Sequence, residues 1–191
     1  MNKPTYITNA IISYWRYLRM YPIVSLETKL MLRNIHKGDR ADILAIDKNK
    51  LLTEIEVKSY IKDLERDINK QIHKDLTNKN SHYPVHYFYF AMDKSDEVKA
   101  LEVINKEFPH AGLLIVQSHK SLVKPDIKIV KMPQRYIKPP LNNAQIMYAL
   151  KAMSSTLCRL SYKFSKKDNL DITNIKEEIS ENDEKDSSGD L

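Results

Sequence analysis

Cysteine and glycine are scarce in this chain: 191 residues include one Cys, Cys158, and three Gly. A single Cys excludes a disulfide scaffold and any Cys-rich zinc module. The six His (His36, His73, His82, His86, His110 and His119) show no HExxH or Cys-paired spacing, so zinc is not expected either. Long apolar runs are missing too. No stretch approaches the roughly 18 apolar residues that a membrane span requires. Residues 1–20 are interrupted by Asn, Ser and Arg and lack a small-residue cleavage site, which argues against a secretory signal. The expectation is a cytoplasmic protein in a reducing compartment, with no membrane partner, and nucleoid or phage association is compatible with it. No internal repeat is visible.

What is present looks ordinary at first. Apolar residues make up 42% and charged residues 29%, within the usual soluble range. The length suits one domain with appendages and is enough to bury a core without disulfides or structural metal. The net charge of +6 hides an asymmetry. Residues 168–191 hold nine acidic residues and two Lys, a charge of −7, which leaves +13 on residues 1–167. That acidic segment has little large apolar content to offset its ordering entropy, so 168–191 is expected to be a disordered tail. It serves solubility or competes with nucleic acid for the basic body; both readings stay open.

Hydrophobic periodicity orders the elements. Ile7, Ile11, Ile12, Trp15 and Leu18 form one helical stripe, which Pro22 ends. Strands are expected over 23–33, 40–47 and 51–58, the last two an antiparallel hairpin around a turn at Asp47–Lys50. Over 60–78 the period changes: Ile61, Leu64, Ile68, Ile72 and Leu76 mark an amphipathic helix. A strand over 85–92 follows, then a helix over 96–108 capped by Ser95, with Val98, Leu101, Ile104 and Phe108 inward. Strands at 112–117 and 127–132 and a helix at about 143–164 complete the order. Three meandering strands and then a β-α-β-α-β alternation imply an α/β fold with a mixed sheet flanked by helices on both faces. The expected division is a domain at 1–140, a helix within 141–167 that packs on the core or forms a dimer face, and the tail.

The chemistry concentrates in the hairpin. Asp42 stands on one strand, and Glu54, Glu56 and Lys58 stand on the next, where a period of two puts them on one face. Ile55 and Val57 point to the other face. Charges gathered on one side of an otherwise apolar segment form either a solvent-facing ladder or a paired, metal-binding or pKa-shifted cluster. Carboxylates from neighbouring strands suit Mg²⁺, which prefers oxygen ligands and keeps several waters. A nearby Lys can orient water and screen a phosphoryl transition state. That is equipment for phosphodiester hydrolysis.

Asp42 and then, after thirteen intervening residues, Glu56-Val57-Lys58 resemble the motif of the PD-(D/E)xK nuclease superfamily, and the element order matches its αβββαβ core. The run RADILAI…EVKSYIKDLERDINK…YFYFAM is similar to the MmcB-type repair branch. The resemblance spans roughly residues 6–132. Ala41 replaces the family's Pro before the first Asp. The resemblance implies a restriction-endonuclease-like core and a Mg²⁺-dependent nuclease, with Mn²⁺ as a substitute. It implies Asp42 and Glu56 as metal ligands, Lys58 as a catalytic residue, and Glu27 as an extra acid that completes the metal site. A solvent-facing Glu27 is the other reading. Glu54 is either a second-metal ligand or a surface charge. Lys70 and Gln71, from the 60–78 helix, are expected near the phosphate, with Asp63 and Asp67 weaker candidates.

Nucleic-acid contacts are expected from Arg33, His36, Lys37 and Arg40 at the hairpin mouth. Lys120, Lys124, Lys128, Lys131 and Arg135 form a second basic run, either a solvated edge or a backbone-contacting surface. DNA is the expected partner, RNA is not excluded, and paired cuts would go with a homodimer. A nuclease-like fold that binds nucleic acid or a partner without cleaving is the alternative.

Overall fold

Alternating apolar residues at Ala41–Ile46 and Leu52–Val57 build a β-hairpin (β2 and β3), closed by Asp47, whose Oδ1 accepts from the backbone N–H groups of Asn49 and Leu51 at 2.9 and 2.8 Å. The computed structural model describes residues 3–28, 41–78, 81, 83–118, 124–158 and 161–162, with the backbone alone for Glu27, Thr28 and Ser118. Among these, β1 (Ile23–Thr28), β4 (Tyr87–Asp93), β5 (Gly112–Ser118) and β6 (Asp126–Lys131) join the hairpin in a six-stranded sheet ordered β1-β2-β3-β4-β5-β6. The β3–β4 and β4–β5 pairs are parallel and the other three antiparallel. Parallel neighbours need long crossovers. Helices α2 (Ile61–Arg66) and α3 (Gln71–Thr77) supply the first, and α4 (Glu97–Glu107) the second. The fold is therefore a mixed α/β sheet flanked by helices, as the periodicity predicts.

Strand alternation divides the core in two. On one face Leu44, Ile46, Leu52, Phe88, Phe90, Met92, Leu113 and Ile115 pack under α2, α3 and α4. On the other, Ile43, Ala45, Ile55, Tyr89, Ala91, Leu114 and Val116 pack under helix α1 (Lys3–Ser13). Each large side chain buried here contributes about 1.5–3 kcal/mol. A Cβ added to Gly112 would come within 2.5 Å of the Tyr89 ring, so glycine there permits close packing.

Several expected details change, each for a local reason. After Ser13 the first helix widens into a π-turn, Tyr14–Leu18, in which the Arg19 N–H reaches the Tyr14 carbonyl. The wider turn shifts the stripe; Tyr14 becomes buried and Leu18 exposed. Asp93, not Ser95, caps the turn before α4: its Oδ1 accepts from the Ser95 N–H and Oγ–H. Val98 is exposed and Ala100 takes an inward place beside Ile104. The 60–78 helix is broken. A 3₁₀ turn, Asp67–Asn69, follows α2, and Lys70 is extended (φ −69°, ψ 136°) before α3 begins. That tighter turn brings Asp67 inward and leaves Ile68 exposed.

The chain divides into two compact units, Met1–Met153 and Ser154–Leu191. In the first, helical residues 143–153 bring Ala149 into the core with Leu141, and Ile146 and Leu150 pack against it. In the second, residues 154–158 and 161–162 are helical, with Leu157 and Tyr162 exposed. The acidic segment 168–191 lies outside the described residues. Among the described residues no helix is long and apolar enough to cross a membrane.

Candidate active site

The antiparallel register of β2 and β3 pairs Ile43 with Ile55 and Leu44 with Glu54; one step further it sets Asp42 opposite Glu56. The register of β1 and β2 pairs Leu26 with Ile43 and Thr28 with Ala41, which places the Glu27 backbone opposite Asp42. Three acidic positions, 27, 42 and 56, therefore form one row across three strands. Asp42 Oδ2 accepts from the Val57 N–H at 2.8 Å. Burial, and then repulsion from Glu56, push the Asp42 carboxyl up to about 6, against the Val57 N–H and the two nearby Lys.

Glu56 and Lys58 are almost fully buried, so the solvent-facing ladder is not what forms. The Lys58 ammonium lies 3.1 Å from Glu56 Oε2 and 2.7 Å from Asp67 Oδ1. Lys70 Nζ lies 3.3 Å from the same Glu56 oxygen and 3.0 Å from Asp67 Oδ1. Burial works against the Lys70 charge, but Glu56 and Asp67 outweigh it and hold its pKa above the ordinary value. Burial would raise Asp67 as well; His73 and Lys58 overcome this and hold it at about 2. The cluster is a closed set of carboxylates and ammoniums in which Lys70, 42% exposed in its side chain, is the most accessible member.

Glu54 is neither a surface charge nor part of this set. It is 1% exposed and accepts the Tyr83 hydroxyl proton at 2.6 Å. Burial first, and then Glu56, push its carboxyl up to about 8, so it stays protonated at neutral pH. Stability linked to such a raised group is fully present below the unfolded pKa and is lost as pH rises towards the folded value. Wild-type stability is thus expected to decline between about pH 4.5 and 8, by on the order of a few kcal/mol in total from this residue. Glu54→Gln, which has no proton to lose, removes that decline. Melting temperatures from pH 5 to 8.5 test this; parallel curves for the two proteins would refute it.

No family model and no curated protein sequence matches the chain. Solved structures that match include the following two. A protein of unknown function from Silicibacter pomeroyi superposes with a TM-score of 0.55 at 16% identity, covering 86% of this chain and 92% of its own. An XisH family protein from Nostoc punctiforme gives a TM-score of 0.39 at 14% identity, covering 58% of this chain and 91% of its own. The first likeness shows the mixed α/β fold alone.

The structure brings together Asp42, Glu56, Lys58 and Lys70, and adds Asp67 at the centre. Gln71 does not join them: its amide donates to Asp75 Oδ1 along α3, because the break at Lys70 starts a new helix there. Asp63 pairs with Arg66 on the helix surface. The Glu27 side chain, Arg33, His36, Lys37, Arg40 and Lys120 lie outside the described residues. Of the second basic run, Lys128 pairs with Glu97 and Lys131 donates to the carbonyls of Phe108 and Pro109. Both ammoniums have partners within the fold, and the Lys128 side chain stays 53% exposed. Lys124 is exposed, and Arg135 lines an open groove with Thr77, Tyr136 and Lys138. Among the described residues no group of three or more His, Cys, Asp or Glu is arranged to hold an ion. Asp67, a lesser candidate in the sequence, takes the central place, and His73 and His110 were missed as site residues. One signal was available: Asp67, Lys70 and His73 recur every third residue, the spacing that a 3₁₀ turn aligns.

Proposed function

We propose that the chain is a Mg²⁺-dependent nuclease that hydrolyses phosphodiester bonds in DNA, with a restriction-endonuclease-like core of the PD-(D/E)xK kind. The observation that carries this reading is the row of acidic positions across β1, β2 and β3 with Lys58 beside its end. Asp42 and Glu56 would hold the ion, with Glu27 at the adjoining register position. The donors fit: two facing carboxylates, one raised by burial and then by repulsion from the other, gain from an oxygen-seeking cation that leaves room for water and phosphate. When bound, Mg²⁺ supplies a Lewis acid for the phosphoryl oxygens. The protein's own part is positional. Glu56 and Asp67 hold the Lys58 ammonium where it orients the attacking water and screens developing negative charge. Lys70, at the exposed edge, attracts the phosphate backbone. The same proposal extends to a structure-selective role in repair, recombination or phage biology.

The test is cleavage of plasmid and branched DNA by the full chain with Mg²⁺, with Mn²⁺ and with EDTA. Cutting with either ion and none with EDTA is expected. No cutting with either ion, together with no calorimetric heat of Mg²⁺ binding, would overturn the reading. The enclosure of Lys58 favours a second reading, since its ammonium is already committed to two carboxylates and 7% exposed. In that reading the cluster is structural, and the fold binds nucleic acid or a partner without cleaving. Salt-sensitive DNA binding without Mg²⁺ binding would favour it.

A further inference from the structure

We propose that His73 and His110 form a buried positioning pair that aims Asp67 at Lys58, which extends the site's supporting structure into the helix-covered core on the same face of the sheet. This inference rests on the nuclease reading for its consequence in catalysis, and on geometry for its existence. His73, on α3, is 7% exposed, and His110, between α4 and β5, is 6% exposed. His73 Nδ1 lies 3.3 Å from His110 Nε2. His73 Nε2 faces Asp67 Oδ2 at 3.6 Å, just beyond hydrogen-bond distance, and neither of these buried atoms has a hydrogen-bond partner. Asp67 Oδ1, on the opposite side of the carboxylate, takes Lys58 and Lys70. The His73 ring is held by Phe88, Phe90 and Phe108, at centroid separations of 5.3, 5.8 and 4.6 Å.

The proton positions follow from this arrangement. A neutral imidazole has one donor and one acceptor. If His73 carried its proton on Nδ1 alone, the Nε2 lone pair would face the Asp67 carboxylate in a dry core, with both groups unpaired, and that costs free energy. The proton therefore belongs on Nε2, directed at Asp67. With His73 neutral, its Nδ1 then accepts and His110 Nε2–H donates to it. Burial, with His73 and Lys131 adding to it, holds His110 down to about 4, so it stays neutral in that donor role. Every donor in the chain points the same way, towards Asp67. Asp67 is thereby fixed from behind by an imidazole and in front by the ammonium it holds beside Glu56. His73 touches none of the expected reacting atoms; it is a positioning residue.

The experiment uses the full-length chain and the variants His73→Phe and His73→Gln. Phenylalanine keeps the aromatic packing and loses the nitrogen; glutamine restores a donor at the Nε2 position. Nitrogen-15 NMR of the wild type is expected to show both imidazoles protonated on Nε2. In His73→Phe, the Lys58 ammonium protons are expected to exchange with water faster, and kcat to fall about tenfold with KM within about twofold, as for loss of other supporting contacts. His73→Gln recovers most of that loss. A His73 without a proton on Nε2, or a His73→Phe protein whose Lys58 signal and kcat match wild type, overturns the proposal. If His73→Phe does not fold, the wild-type protonation pattern and the His73→Gln values decide. If the wild type cleaves no DNA, the nuclease reading fails, and the imidazole and ammonium signals alone decide whether the pair positions Asp67.

Discussion

Lys58→Ala is expected to abolish metal-dependent cleavage, a loss of at least about a hundredfold in kcat, the usual scale for removing a positioned group that handles a proton or stabilises charge. The residue sits immediately after β3, two positions beyond Glu56 and on the same side. Its ammonium bridges Glu56 and Asp67, so the alanine variant loses the charge and also leaves two buried carboxylates with only Lys70 between them. Lys58→Met separates these effects, because it keeps the aliphatic stem against the Phe90 ring, which the Lys58 ammonium approaches at 5.9 Å. Both variants are to be measured on folded protein, with circular dichroism matching wild type and Mg²⁺ binding followed by calorimetry. Retained ion binding with lost cleavage is the expected pattern. A folded Lys58→Met protein that cuts within about threefold of wild type would show that any activity arises elsewhere.

Asp67→Ala should be the most destabilising single change at the site, by about 3 kcal/mol in urea unfolding, the low end of what removing one partner of a buried ion pair costs. The low end applies because Glu56 still faces Lys58, and the Lys70 side chain is 42% exposed, so water screens part of its loss. Asp67→Asn should cost less, since the amide oxygen still accepts. The pH dependence gives an independent check. The Asp67 carboxyl is held at about 2, below its unfolded value, so the unfolded chain binds more protons in the acid range. Its contribution is therefore fully present above about pH 4 and is lost as pH falls through about 2. In Asp67→Asn that acid loss disappears. A cost below about 1 kcal/mol for Asp67→Ala would mean that the network forms without stabilising the fold.

Much of the architecture was legible in the chain. The period-two runs at 41–46 and 52–57 and the Asp47–Lys50 turn determine a hairpin, because a strand with one apolar face tolerates only one register. That register in turn aligns Asp42 with Glu56 and sets the Glu27 position beside them. The switch to helical spacing after residue 60 and the apolar run at 112–117 led to the parallel half of the sheet. Where the pattern failed, helix geometry had changed: the π-turn at Tyr14–Leu18 and the 3₁₀ turn at Asp67–Asn69 each shift a stripe drawn on a 3.6-residue period.

The sequence by itself determined the two faces of the sheet, the succession of its strands along the chain and the placing of Asp42, Glu56 and Lys58 around one hairpin, because strand alternation and turn chemistry are local. Only the tertiary structure decided what those charges meet. Lys58 and Lys70 converge on Asp67 from β3 and from the break between helices, and His110 reaches His73 across 37 residues. Glu54, two residues from Glu56 and chemically identical to it, holds its proton because the core closes over it and Glu56 repels its charge, against the Tyr83 hydroxyl that donates to it. Burial and pairing are properties of the packed layers, and no spacing rule along one strand contains them.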